Sequence, residues 1–132
     1  MLKLTRKTEY ALIALRYLQI KSEGKPITTK KIAEIEKIPV SILSKVLQHL
    51  SKENFIKTIK GAHGGYQLSV NLNKIKLWEF LETMEGPLGL VDCLQNSQCE
   101  QDNICSIQTP IRKINHTVKN VFDKLSVSDV TV

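Results

Sequence analysis

Three cysteines, Cys93, Cys99 and Cys105, lie within 13 residues of a 132-residue chain that contains no others. An odd number cannot all pair as disulfides, and a reducing compartment keeps such groups as thiols. Five residues separate each cysteine from the next. Zinc knuckles and ribbons instead close their tetrahedron with pairs about two to four residues apart, so this is not a zinc pattern. An iron–sulfur cluster spans more space than a single ion and prefers soft thiolates. Three separated cysteines on one pliable loop can hold three of its corners, with the fourth filled from elsewhere. The same spacing also suits three unrelated free thiols open to oxidation. Nucleophilic catalysis at one of them finds no support, because His49, His63 and His116 fall on three different segments with no shared site.

A second group of residues is suited to recognition. In Val40–Lys52, the apolar Ile42, Leu43, Val46, Leu47 and Leu50 share one helical face, which leaves Ser41, Ser44, Lys45 and Gln48 on the other. Short polar and basic side chains on an exposed helix can enter a major groove, Gln being suited to adenine and Lys to guanine. Taken alone, the same pattern describes a solvated face. The adjoining segment tips the balance: Phe55–Ile59 and Tyr66–Val70 have strand character, separated by Lys60-Gly61-Ala62-His63-Gly64-Gly65. Three helices and a hairpin with a basic tip make a winged helix, whose wing lies against the neighbouring DNA backbone or minor groove. Gly61, Gly64 and Gly65 supply positive φ and let the wing approach phosphate, although a plain hairpin uses glycines too. His63 reads more simply as a surface residue than as a base reader. Charge supports a polyanionic partner such as double-stranded DNA. Residues 1–76 carry 15 Lys/Arg against 5 Asp/Glu, a net +10, and residues 77–132 carry 4 against 8, a net −4. A lysine-rich solvated surface would show the same excess.

Hydrophobic periodicity assigns these groups to helices, strands and loops. Thr5–Ile20 repeats Ala11, Leu12, Ala14, Leu15 and Leu18 at helical spacing. A second helix starts after Pro26, capped by Thr28 or Thr29; it is expected to bury Ile32, Ala33 and Ile35 and to end at Ile38-Pro39. A short helix runs from Leu77 to Met84 and stops at Glu85-Gly86-Pro87, and the polar stretch 92–104 reads as a loop holding the cysteines. From Thr109 to Leu125, Ile111, Ile114, Val118, Phe122 and Leu125 form the seam of a long helix. Its partner is expected to be the same helix of a second subunit, which suits a two-fold DNA site, with packing onto the first helix of its own chain as the alternative. The fold class is therefore mainly α with a small β-hairpin: a winged helix-turn-helix over residues 1–76, then a cysteine loop and dimerisation helix over 77–132. The chain holds no apolar run of membrane-spanning length. Arg6, Lys7, Glu9 and Arg16 interrupt the N-terminus where a signal peptide would be apolar, so a cytoplasmic, membrane-free homodimer is expected.

Leu4-Thr5 and Tyr10-Ala11 near the start, Ile32-Ala33 with Ile38-Pro39, Lys60-Gly61 with Gly64-Gly65-Tyr66, and the three cysteines combine in one pattern. Along nearly its whole length the chain thereby resembles the Rrf2 family of winged-helix regulators. The resemblance implies a homodimer with crossed C-terminal helices. It also implies a 2Fe–2S or 4Fe–4S cluster at the subunit boundary that alters DNA affinity when modified or lost. In one branch of the family a His just beyond the last cysteine is the fourth ligand, and this chain has Gln108 there. In another branch a first-helix carboxylate from the second subunit serves, and aligning Thr5 and Tyr10 with the family's start puts Glu9 at that place. An oxygen ligand matches soft iron–sulfur chemistry poorly and would make a labile corner. The implied function is a repressor or dual regulator sensing iron–sulfur status, nitric oxide or redox stress. The alternative is a cluster-free regulator switched by thiol oxidation or by a small metabolite.

Overall fold

Helix α1 (Arg6–Ile20) starts at Thr5, whose extended backbone and hydroxyl, accepting from the Thr8 amide at 3.3 Å, satisfy one of the free first-turn donors. The computed structural model to which α1 belongs describes residues 4–88 and 107–131; Cys93, Cys99, Cys105 and the expected loop over 92–104 lie outside the described residues. The face of α1 that carries Ala11, Ala14, Leu15 and Leu18 is fully buried. Helix α2 (Thr29–Glu36) is capped by the Thr28 hydroxyl, which accepts from the Lys31 amide at 3.2 Å, and it ends on Lys37 in the left-handed region at φ 55°. Helix α3 (Val40–Lys52) follows Pro39 and buries Leu43, Val46, Leu47 and Leu50 against α1 and α2.

Two positions depart from the expected burial, for one geometric reason. Ile35 and Ile42 remain 46% and 42% exposed. With 3.6 residues per turn, Ile35 lies about 110° round α2 from the midpoint of Ile32 and Ala33, and Ile42 lies about 90° round α3 from the centre of its buried stripe. Both therefore fall at the edge of the packed face.

Strands β1 (Ile56–Ile59) and β2 (Gly65–Leu68) pair antiparallel, with Ile56 opposite Leu68 and Ile59 opposite Gly65. Ile27, just before α2, forms a separate antiparallel bridge to β2 by exchanging backbone hydrogen bonds of 2.9 and 2.8 Å with Tyr66. The wing is thus tied to the helix-turn-helix as well as to its own hairpin. After a 3-10 turn at Leu72–Lys74 comes α4 (Leu77–Glu85), whose Phe80 packs edge-on to Phe55 at 5.3 Å between ring centres.

The helix expected over Thr109–Leu125 is α5 (Gln108–Asp123), which ends before Leu125, and a short further helix, α6 (Val127–Thr131), follows it. The break is set at Ser126: its amide donates to Asp129 Oδ2 at 2.7 Å and its hydroxyl accepts from the Asp129 amide at 3.3 Å, a reciprocal cap that starts a new helix. Helix α6 folds back onto α1. Gln19 Nε2 donates to Ser128 Oγ at 3.0 Å, and Thr131 Oγ1 donates to Gln19 Oε1 at 2.7 Å. Backbone bonds from Leu77 to Leu125 and from Val127 to Ile75 complete the strap. One cluster of buried apolar residues therefore runs from Ala11 to Val127, drawing Leu77, Phe80, Leu81, Met84 and Val127 into the core built by the first three helices.

Candidate nucleic-acid interface

The buried stripe of α3 turns its opposite face outward. Ser41, Lys45 and Gln48 are exposed and Ser44 is half-buried, so the four candidate base readers lie on one side of one helix. Lys60, Gly61, Ala62 and His63 form an exposed wing tip, while Gly64 and Gly65 are half-buried at its base. Lys25, Pro26, Ile27, Thr28 and Lys31 join Ala62, His63 and Gly64 in lining one groove between the wing and the start of α2. Lys25 and Lys31 were missed in the sequence pattern; the signal that could have found them is their position either side of a helix cap facing the hairpin.

The wing glycines have separate reasons. A Cβ on Gly64 would come 2.1 Å from the Ile59 carbonyl oxygen, and one on Gly65 would come 2.4 Å from the Ile27 backbone. Gly61 has open space around it and needs glycine for its φ of +113°. Gly64 lacks the expected positive φ, so its constraint is packing of the wing on itself, whereas Gly65, at φ +149°, is held both by its backbone and by its packing on Ile27.

His49 on α3 has a buried Nδ1 with no hydrogen-bond partner in the structure, and its Nε2 stands 3.8 Å from Glu53 Oε1.

Glu9 projects from α1 with its side chain 43% exposed and pairs with Arg6 at 3.2 Å. One turn away, a clasp joins the start of α1 to the end of α4. Glu85 Oε1 accepts from the Thr8 hydroxyl at 2.6 Å, the Thr5 amide at 2.9 Å and the Thr5 hydroxyl at 3.0 Å. Burial pushes the Glu85 carboxyl upward, but these three bonds and the nearby Lys7 charge outweigh it and hold the group below its ordinary value. Among the described residues no group of three or more His, Cys, Asp or Glu is placed to hold a metal ion. The segment carrying the cysteines runs between Leu88 and Ile107, the described residues that bracket it.

On α5, Phe122 turns toward α4 and meets Trp78 at 5.9 Å between ring centres. Ile107, Ile114, Val121 and Leu125 are exposed, and Ile111 and Val118 are half-buried. Within α5, Ile111, Ile114, Val118 and Val121 advance by three, four and three residues, the spacing of a coiled-coil seam, with Ile107 just before the helix and Leu125 just after it. Val121 thus joins the outward stripe, and Phe122 contributes to the inner face. No helix among the described residues is long and apolar enough to cross a membrane.

The model of the Rrf2 family, described as iron-dependent transcriptional regulators, matches residues 4–132. The HTH-type transcriptional regulator NsrR of Shouchella clausii is 29% identical over 99% of this chain and 89% of its own. Among solved structures, CymR of Bacillus subtilis, a global cysteine regulator, superposes with a TM-score of 0.77 at 27% identity, covering 99% of this chain and 97% of that one. IscR from T. potens shares the fold with a TM-score of 0.71 at 23% identity, over 97% of this chain and 85% of its own.

Proposed function

The chain belongs to the Rrf2 family of iron-dependent transcriptional regulators, and from that premise we propose that it is a homodimer that grips operator DNA through α3 and the wing under the control of its cysteines. Its relatives are transcriptional regulators, a role without catalysis. In this reading Ser41, Ser44, Lys45 and Gln48 reach base edges, and Lys60, Gly61, His63, Gly64 and Gly65 lie along the backbone, joined by Lys25 and Lys31. The observation that carries it is the outward polar face of α3 beside a basic wing tip. The exposed stripe of α5 is the surface on which a second copy would dock, setting two recognition helices at a two-fold site.

Three of the donors fit an iron–sulfur cluster in their chemistry, the soft thiolates of Cys93, Cys99 and Cys105, while the partly exposed Glu9, paired with Arg6, offers a hard carboxylate that would make a labile fourth corner. A bound cluster would supply a centre sensitive to oxidants and nitric oxide. Coupling to DNA then requires two dimer geometries that differ in DNA affinity and that the cysteine region favours unequally. A second reading, a cluster-free regulator switched by thiol oxidation or by a small metabolite, draws support from the likeness to a global cysteine regulator. Anaerobic purification separates the two. Brown protein with iron and acid-labile sulfide, both lost in Cys99→Ala, supports the cluster; colourless protein whose DNA affinity changes on oxidation supports the second reading.

The DNA reading is tested by separating two kinds of contact. Base-edge contacts discriminate sequences by roughly 1–3 kcal/mol each, whereas phosphate contacts strengthen binding to any duplex. Gln48→Ala is expected to shrink the preference for operator over scrambled duplex. Lys60→Ala is expected to weaken both and to reduce the slope of log affinity against log salt by about 0.9. An unchanged ratio together with an unchanged slope would overturn this docking.

A further inference from the structure

Val40 and Ile42 are aliphatic side chains left in water at the start of α3, 50% and 42% exposed. At about 100° per residue they flank the exposed Ser41, one on each edge of the outward polar face of the helix. No side chain caps that end, since the residue in the capping position is Pro39. Lys37 and Lys45 are exposed nearby, in a segment whose net charge is +10 over residues 1–76.

An apolar protein surface would match the aliphatic pair but not the lysines. Duplex DNA matches both. Its phosphates suit the cations, and the C5-methyl of thymine is the apolar group that the base pairs display in the major groove. In helix-turn-helix docking, the residues at the N-terminal end of the recognition helix are the ones that meet base edges. We infer that Val40 and Ile42 are specificity-determining residues that pack on thymine methyls, so that the preferred half-site carries thymines beside the base pair facing Ser41. The inference rests on the DNA-binding reading above and adds an apolar pair to its polar readers.

The test begins with the full chain selecting duplexes from a randomised pool. In the selected duplex each thymine is replaced singly by deoxyuridine, which removes the methyl and leaves every hydrogen-bonding group in place. At one or two thymines the wild-type chain is expected to lose about fourfold in affinity, the worth of one buried carbon. In Val40→Ala or Ile42→Ala the matching penalty should vanish, with the chain still folded and its oligomeric state unchanged, because each side chain is about half exposed and neither belongs to the core. A penalty of equal size in wild type and both variants, or no sensitive thymine at all, overturns the inference while leaving sequence-specific binding intact. Failure to enrich any sequence from the pool is a different result: it sinks the DNA reading itself, and this inference with it.

Discussion

At the scale of single residues, Glu85 has the most consequential environment among the described side chains. It ties the first turn of α1 to the last turn of α4 through Thr5 and Thr8. Because its carboxyl is lowered in the folded chain, the folded state releases that proton more readily than the unfolded state does. The resulting stabilisation is complete above the ordinary value of 4.5 and is lost as pH falls through the lowered one. Glu85→Gln cannot titrate and accepts the same bonds more weakly. At neutral pH the variant is expected to melt below the wild type, and the gap should narrow as the buffer is acidified past the carboxylate range. A gap that stays constant with pH would show that the ionised form contributes nothing. The helix beginning at Thr5 was legible from its apolar spacing, but nothing in the local sequence pointed to an acceptor 77 residues beyond Thr8.

At the scale of elements, the wing shows how similar residues come to differ. Gly61 and Gly65 both have positive φ, 113° and 149°, but only at Gly65 would a Cβ strike the backbone of another segment, at Ile27. Gly61→Ala is expected to cost on the order of 1 kcal/mol, the strain of the backbone alone. Gly65→Ala must also push β2 away from Ile27 and break its bridge to Tyr66. Thermal denaturation should therefore rank Gly65→Ala well below Gly61→Ala, with faster amide exchange at Ile27 and Tyr66 in the former. Equal melting temperatures would mean the hairpin can shift without cost. The hairpin was legible from two short β-rich runs around glycines; the bridge from Ile27 was not, because Ile27 and Tyr66 are far apart in sequence and a single bridge leaves no periodicity.

At the scale of the molecule, α6 straps the C-terminus to α1 while the outer stripe of α5 is left without a covering element among the described residues. A second copy docking along that stripe makes assembly sensitive to one buried charge. Ile114 is 52% exposed in the single chain, so Ile114→Glu should leave the subunit folded while placing a carboxylate in a seam that would otherwise be apolar. Sedimentation should show a dimer for the wild type and a monomer for the variant, with operator affinity falling because one protein no longer spans two half-sites. A dimer that survives the substitution would move the interface elsewhere.

Short-range physics writes some features of this chain into neighbouring positions, and those were legible before any fold was known. The helical stripes of α1 and α3, the cap at Thr28, the hairpin, and the outward set Ser41, Ser44, Lys45 and Gln48 all depend on spacings of a few residues. Helix and strand geometry convert such spacings directly into faces. Which edge of each stripe is covered came from the folded arrangement instead. It exposed Ile35, Ile42 and Val40, turned Phe122 inward and Val121 outward, and joined Glu85 to Thr8, Gln19 to Ser128 and Ile27 to Tyr66. Those outcomes depend on how helices cross and where chain ends return, which is set by packing between residues distant in sequence and leaves no local pattern to read.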